Sequence, residues 1–562
     1  MAQIPYRANL SSAIFPMTVG QAGRTVINPG FDQNFDRRVD PTGSQTDVGI
    51  PQAMYLENVL PTSSGYQSVG FASLDGTISV TVGYSLIKAM TLKAEAPVVG
   101  PPAITGLILD VPFFIATDGA GSYQFLSGPL GDKTVVFVGA APTLFITRIS
   151  NAVLVGVSYV LIGTQLYTAI TDFTGILTLT NITATVTPLG FFAASAIVSI
   201  TASNNYLLAN NNATVFYSSL TTPTDFVASL ISGAGEISPN DTDNALVWIN
   251  AAERGFYCFT NTNVLYGQYT GNARYPWKFS VVLGTTGITG GFNFDRQQLS
   301  GDVSTVGHFT IEYNNEIRLL QGASASQVAP EVSNYLSRET YRDVFNSATN
   351  TFSKVEISTQ LPGIYYFLNR YVLVSCDGGP SYGSATTQYQ SVIVYDIALR
   401  RYGRFKIQHT SIIVIDPIWA QFVPQKENIA FVDTNTKKIY YLSLDIYTGE
   451  TYPAGITAQP HAAVFILGKV QFVRNRLLTI EELEIEGLQD SSIVNPPNFS
   501  VRLLPSLDGR TFDPAVTPYQ VSVSGELGKY SLHNTAINHS IVCKGAFNLS
   551  TLQMRFTVRG DR

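Results

Sequence analysis

The residues of this chain that could do chemistry are few, and most stand apart from partners. Its five histidines are His308, His409, His461, His533 and His539. A zinc site draws on three or four His, Cys or carboxylate ligands at short spacings. His533 and His539 are the one close pair of histidines, six residues apart in a loop-like HNTAINH stretch, and a metal site would need more nearby ligands. They read as satisfied or exposed side chains. The cysteines, Cys258, Cys376 and Cys543, are odd in number and widely spaced, with no CxxC pattern. That indicates neither a disulfide framework nor a zinc site, and buried, reduced thiols are expected. GxSxG occurs once, as Gly379-Pro380-Ser381-Tyr382-Gly383. A hydrolase elbow needs a strand before the serine and a helix after it. Here the following SATTQYQSVIVYD reads as loop and strand, so the match is one of chance. Neither the phosphate loop GxxxxGK[ST] nor HExxH occurs.

Carboxylates are densest at Glu481, Glu482, Glu484 and Glu486. Two of them could act as acid and base, or hold Ca²⁺. The simpler reading is a strand whose Leu483 and Ile485 face a core while Glu482, Glu484 and Glu486 alternate onto the solvated face. Asp241 and Asp243 in SPNDTDN read as an acidic turn. The run Ser375-Cys376-Asp377-Gly378-Gly379-Pro380-Ser381-Tyr382 resembles the Asp-box, S-x-D-x-G-x-x-aromatic, of sialidase propellers, and Ser506-Leu507-Asp508-Gly509 begins a weaker copy. Such boxes are turn elements, and an Asp-Gly hairpin turn explains the run equally well. Tyr and Phe number 29 and 32. An aromatic stripe could bind sugars, but such rings more often fill the gaps between sheets. The expectation is a non-enzymatic protein with no catalytic, cofactor-binding or metal site and no cofactor.

What positions these residues is an all-β chain. Helical periodicity is nearly absent, and short runs of Val, Ile, Tyr, Phe and Thr alternate with polar residues between turn clusters. One hairpin pattern recurs, beginning at Phe113, Tyr159, Tyr206, Phe256, Phe309, Tyr371 and Asn428. The starts lie 46, 47, 50, 53, 62 and 57 residues apart. Four-stranded sheets repeating at that period bury their faces by stacking radially, which predicts a β-propeller of six or seven blades. A β-sandwich array or a β-helix is the alternative. Residues 1–65 are rich in Asn, Asp, Gln, Pro and Gly and read as an extended N-terminal arm or strand-donating segment. Residues 66–461 read as the propeller. Longer strands in residues 462–562 read as an additional C-terminal β-sandwich.

Composition narrows the function. Charged residues are 13% of the 562, against about 25% in ordinary globular proteins. Such a surface suits subunits that cover one another, or carbohydrate-binding β-proteins. Residues 1–250 hold 15 acidic and 8 basic residues, and no Lys or Arg occurs between Arg148 and Arg254. A tight nucleic-acid binder needs those cations to replace counterions on phosphate. A neutral or acidic wall would instead let a polyanion slide past. The beginning of the chain, MAQIPYRANL, has no basic segment leading into an apolar core, and the apolar stretch near Ala152 to Ile162 is too short to span a bilayer. A soluble protein made in the cytoplasm is expected.

Several blocks resemble the packaged-DNA stabilisation, or tail nozzle, proteins of short-tailed phages. They are NVLPTSSGYQSVGF from Asn58, with Val69 where that family more often has Pro, and VFYSSLTTPTDF from Val215. WINAAERGFYCFTNTNVLYGQYTG from Trp248 leads into GTTGITG. SVIVYDIALRRYGRF from Ser391 follows, with Tyr402 in place of Trp, and then LEIEG, LLPSLDGRTF and LQMRFTVRG near the C-terminal end. The resemblance implies a virion protein of the tail and a homohexameric ring below the portal and adaptor. It implies a gate that retains packaged DNA and forms the channel for genome ejection, without sequence-specific binding and without catalytic residues. The competing expectations are a glycan-binding or glycan-cleaving propeller and a receptor-binding tail spike.

Overall fold

The computed structural model describes residues 22–27, 53–62, 65–96, 107–143, 148–239, 245–288 (except 253, 273 and 274), 300–303, 307–312, 316–333 (except 331), 341–346, 351–356, 363–367, 370–376, 388–419, 429–444, 455–458, 462–470, 476–486, 499–506, 519–523, 527–549 and 551–561. Nearly all of the regular structure is antiparallel β.

Seven groups of strands follow one another along the chain, the first two joined in one nine-stranded sheet, and the fold is a β-propeller with an additional C-terminal β-sandwich-like unit. The strands of the first blade are Ser85–Glu95, Ile108–Thr117, Tyr123–Ser127 and Lys133–Thr134, and those of the second are Ile149–Leu154, Val157–Ile162, Gln165–Thr171 and Leu177–Asn181. The third runs Ser199–Ser203, Tyr206–Asn210, Val215–Tyr217 and Gly235–Ile237, and the fourth Leu246–Ala252, Gly255–Thr260, Val264–Tyr269 and Trp277–Val281. Ser300–Val303, Gly307–Ile311, Ile317–Gln321 and Ser324–Gln327 make the fifth, and Gly363–Phe367, Tyr371–Cys376, Ser391–Asp396 and Arg401–Phe405 the sixth. The seventh joins Ser411–Val414, Ile429–Asp433 and Lys438–Ser443 to Gly70–Leu74, a strand from the other end of the propeller. Each of the seven recurring sequence hairpins falls on the second strand of one blade, and six of them run on through the third.

Apolar packing joins each blade to the next. Leu161 and Leu166 of the second meet Phe192 and Leu207 at the third. Tyr206 and Leu208 meet Phe256 and Trp277 of the fourth, whose Phe259 packs with Leu320 of the fifth. Phe309 and Ile311 pack with Val372 and Val374, and Leu373 and Phe405 with Ile412 and Phe431. Ile413, Val432 and Tyr441 of the seventh blade then share one core with Phe113 and Phe114 of the first and Tyr167 of the second. Each such side chain contributes roughly 1.5–3 kcal/mol by leaving water. The aromatic residues mainly supply this packing, and Phe173 and Tyr275 are the exposed rings among the large apolar side chains of the described residues.

The turns are held by short polar side chains. Asp118 Oδ1 accepts from the N–H groups of Ala120 and Ser122 at 2.8 and 2.9 Å. Asp172 Oδ1 does the same for Thr174 and Ile176 at 2.9 Å each, and Asp396 Oδ1 for Ala398 and Leu399 at 3.0 Å each. This is the Asx-turn chemistry that makes aspartate a hairpin residue.

The segment read as an arm supplies strands. Ala22–Ile27 pairs with Thr551–Asp561 in a four-stranded sheet that also holds Arg476–Glu486 and Leu527–Ala536. Ala53–Glu57 pairs with Ala463–Val470 in a five-stranded sheet completed by Asn538–Gly545, Phe499–Ser506 and Tyr519–Val523. The boundary near residue 66 is likewise interwoven: Tyr66–Ser68 pairs with Val59–Pro61 and Asn548–Leu549. Ile480 of the first sheet and Phe465, Val501 and Ile541 of the second belong to the cluster that includes Phe309 and Val374, so this unit is continuous with the core of the fifth and sixth blades.

Candidate functional site

Two arrangements bear on function, one sealed between blades and one open on the surface. The sealed one joins the sixth and seventh blades. Ser375 Oγ lies 2.8 Å from His409 Nε2, and His409 Nδ1 lies 2.9 Å from the Ile407 carbonyl. A carbonyl only accepts, so Nδ1 carries the proton and Nε2 accepts from the serine hydroxyl. This is the geometry of a nucleophile and its base. Both residues are buried, however, with Tyr389 stacked on the imidazole at 5.3 Å and Phe431 edge-on at 5.4 Å. Burial pulls the His409 pKa down to about 4, against the Ile407 carbonyl and the Asp433 charge. The pair acts as a hydrogen-bonded peg that holds the connection carrying His409 against the strand Tyr371–Cys376.

His308 is buried beside Tyr257 and Phe259, with ring centres 5.5 and 5.6 Å away, and burial lowers its pKa to about 3. On the same face of that strand stands Glu312, which sequence reasoning missed. Its Oε2 accepts from Thr286 N and Oγ1 at 2.9 and 3.0 Å, with Arg318 Nε at 3.7 Å. Burial raises its carboxyl above the usual range. A second missed ion pair links Asp396 Oδ2 to Arg370 Nε at 2.7 Å. The signal for both was a charge inside a strand-and-turn pattern, EYNNEIR and VYDIALRR.

The other singled-out residues do not converge. Cys258, Cys376 and Cys543 are free and buried, and burial pushes the Cys543 thiol up to about 12. Glu481 and Glu482 are half-buried on Arg476–Glu486, where Glu482 stands opposite Arg555 and Ser531. His539 is buried, and His533 lies on Leu527–Ala536. Ser375 and Cys376 end a strand, and Ser506 ends another. The GxSxG run at Gly379–Gly383, Asp377, Asp241, Asp243, His461 and Leu507–Gly509 lie outside the described residues. Among the described residues no group of three His, Cys, Asp or Glu is placed to hold a metal ion. Nor is any helix among them long and apolar enough to cross a membrane.

The open arrangement is a knuckle on the third blade, between Val215–Tyr217 and Gly235–Ile237. Leu220 N donates to Ser232 O at 3.3 Å and Ser229 N to Ala234 O at 3.0 Å, which folds the connection back on itself. Phe226 anchors it beneath, stacked on Phe191 at 4.5 Å. A bridge between Thr187 and Asp225 brings the preceding connection alongside. Apolar side chains crown it: Ile231 is 99% exposed, Leu189 79% and Leu230 74%, with Leu220 and Val227 also exposed. Large apolar side chains left exposed on neighbouring connections are the kind of surface that marks an interaction site.

No protein-family model and no curated protein matches the chain. Solved structures do. The WD40 domain of Neurospora crassa Pan2 is 9% identical, with 66% of this chain and 97% of that chain covered and a TM-score of 0.29. The extracellular domain of the putative one component system BT4673 from B. thetaiotaomicron is 10% identical, with 90% and 62% covered and a TM-score of 0.32. The fold assignment stands on the sheet order and shared cores above.

Proposed function

We propose that this chain is a structural protein of a bacteriophage tail, a nozzle or hub subunit that assembles in a ring, retains packaged DNA and forms the channel for its ejection. The observation that carries the reading is the run from residue 149 to 253 without Lys or Arg. It makes up the whole of the second and third blades. A wall without cations does not exchange counterions with phosphate, so DNA passes it without being held. The phage-like blocks add support, since they fall on separate elements: the strands Val59–Pro61 and Tyr66–Ser68 with the start of Gly70–Leu74, the third-blade knuckle, the fourth blade, the sixth blade and the C-terminal sheets. The ring would meet the portal and adaptor above and other tail proteins below. Native mass with negative-stain imaging tests this. A sixfold ring with an open channel is expected; a monomer with glycosidase activity, or a trimeric spike, would replace the reading.

A further inference from the structure

We propose that the apolar knuckle of the third blade is the docking site for residues 1–21 of a second copy of this chain. The inference rests on the ring reading above for its choice of a second copy. Three observations carry it. The first is the knuckle itself, an ordered connection that presents Leu189, Leu220, Val227, Leu230 and Ile231 to solvent. An interior-like set of side chains held outward by a stacked Phe191–Phe226 base is built to be covered.

The second is charge. Asp225 and the exposed Glu236 flank the knuckle, and its surroundings in sequence hold no cation from residue 149 to 253. A matching occupant is apolar with a positive charge and no negative one. Residues 1–21, MAQIPYRANLSSAIFPMTVGQ, have that character: Ile4, Leu10, Ile14, Phe15, Met17 and Val19, with Arg7 as the single charge. An anionic membrane or a nucleic acid is disfavoured by the same absence of cations.

The third is where the segment is tethered. It leads into Ala22–Ile27, which lies at the edge of the sheet containing Arg476–Glu486. That sheet's Ile480 is packed into the core of the fifth and sixth blades, not the third. Tether and knuckle are therefore different places on the chain, and a contact between them in two copies is head-to-tail. Head-to-tail contacts close into rings when the rotation allows. Twenty-one residues span up to about 70 Å when extended, which sets the reach of such a contact.

The test uses the full chain with Phe15→Cys and Ile231→Cys together. The native cysteines are buried among the described residues, so background linkage is low. Under mild oxidation, a ladder of covalently linked copies is expected on a non-reducing denaturing gel. Replacing Ile231→Cys by Val82→Cys, which is 98% exposed on another connection, should abolish the ladder. Linkage within single chains only, no linkage, or equal linkage through Val82→Cys overturns the proposal. In parallel, Leu230→Asp with Ile231→Asp should eliminate the higher-mass species in native mass measurement while leaving the thermal melt unchanged. Assembly that survives both substitutions sinks this docking alone, whereas a wild-type monomer sinks the ring reading with it. Sedimentation with phosphatidylcholine vesicles that the double substitution abolishes would reassign the knuckle to lipid and overturn it too.

Discussion

Val155 is the clearest place where local backbone energetics can be measured against this fold. It sits with Gly156 in the two-residue turn between Ile149–Leu154 and Val157–Ile162, where Leu154 pairs with Val157. Its φ is 51°, in the left-handed region, and its side chain is 81% exposed. A β-branched residue there costs roughly 1–2 kcal/mol. The fifth of its surface that is buried returns only about 0.3 kcal/mol, since full burial of a valine is worth about 1.5. Val155→Asn, which suits both central positions of such a turn, should therefore stabilise the protein by about 1 kcal/mol. The third blade already has the favourable chemistry. Asn204 and Asn205 take φ of 49° and 65° in the equivalent turn, so Asn204→Val should lose about as much. Urea unfolding followed by tryptophan fluorescence reads both, because Trp419 Nε1 donates to the Phe173 carbonyl of the second blade at 3.2 Å. With m near 3 kcal/mol per molar or above, the midpoints should move apart from wild type by about 0.3 M or less, in opposite directions. If Val155→Asn left the midpoint unchanged or lowered it, the assignment of strain to this turn would be refuted.

Acid should weaken the fold through two of its buried histidines, His308 and His409. Each has a folded pKa below the ordinary value near 6.5, about 4 for His409 and about 3 for His308. The stability is fully present above about pH 6.5 and is lost as the unfolded chain gains protons the folded chain refuses, at up to about 1.4 kcal/mol per pH unit per histidine. His308→Phe should flatten that slope in calorimetry between pH 6.5 and 4, and an unchanged slope would exclude His308 as a source. Gly255→Ala should be far more damaging than Gly76→Ala. A Cβ at Gly255 would stand 2.1 Å from the Gly267 carbonyl oxygen, whereas one at Gly76 meets nothing within 4 Å. Similar melting temperatures for the two variants would count against the tight fourth-blade hairpin. Free duplex DNA should bind no more tightly than about 10⁻⁶ M in filter binding at physiological salt, and tighter binding would defeat the sliding-wall argument.

How much of this the sequence carries depends on whether a feature is local. The second strand of every blade, and the turn after it, can be read from alternation and turn residues, because hairpins such as YLLANNNATVFYSS contain their own pairing partners. The strand that joins the last blade to the first does not. Gly70–Leu74 pairs with Lys438–Ser443 across the whole propeller, and nothing in GFASL names that partner. Ala22–Ile27 is the same case, reading as a polar arm until Thr551–Asp561 lies beside it. The site follows the same rule. Ser375 and His409 were both visible, one in a box-like turn and one among five scattered histidines, but their 2.8 Å contact exists only because the connection between the sixth and seventh blades folds His409 back beside the strand Tyr371–Cys376. Glu312 was passed over because a carboxylate after FTI in a hairpin looks solvated, and only the connection carrying Thr286 buries it. The knuckle is the converse. Its LISG turn looks like ordinary loop, and what distinguishes it is that Phe226 beneath holds an apolar tip outward when burial would otherwise have drawn Leu230 and Ile231 in. A chain that spends its inward-facing aromatic on keeping apolar residues in water has a surface waiting for a partner.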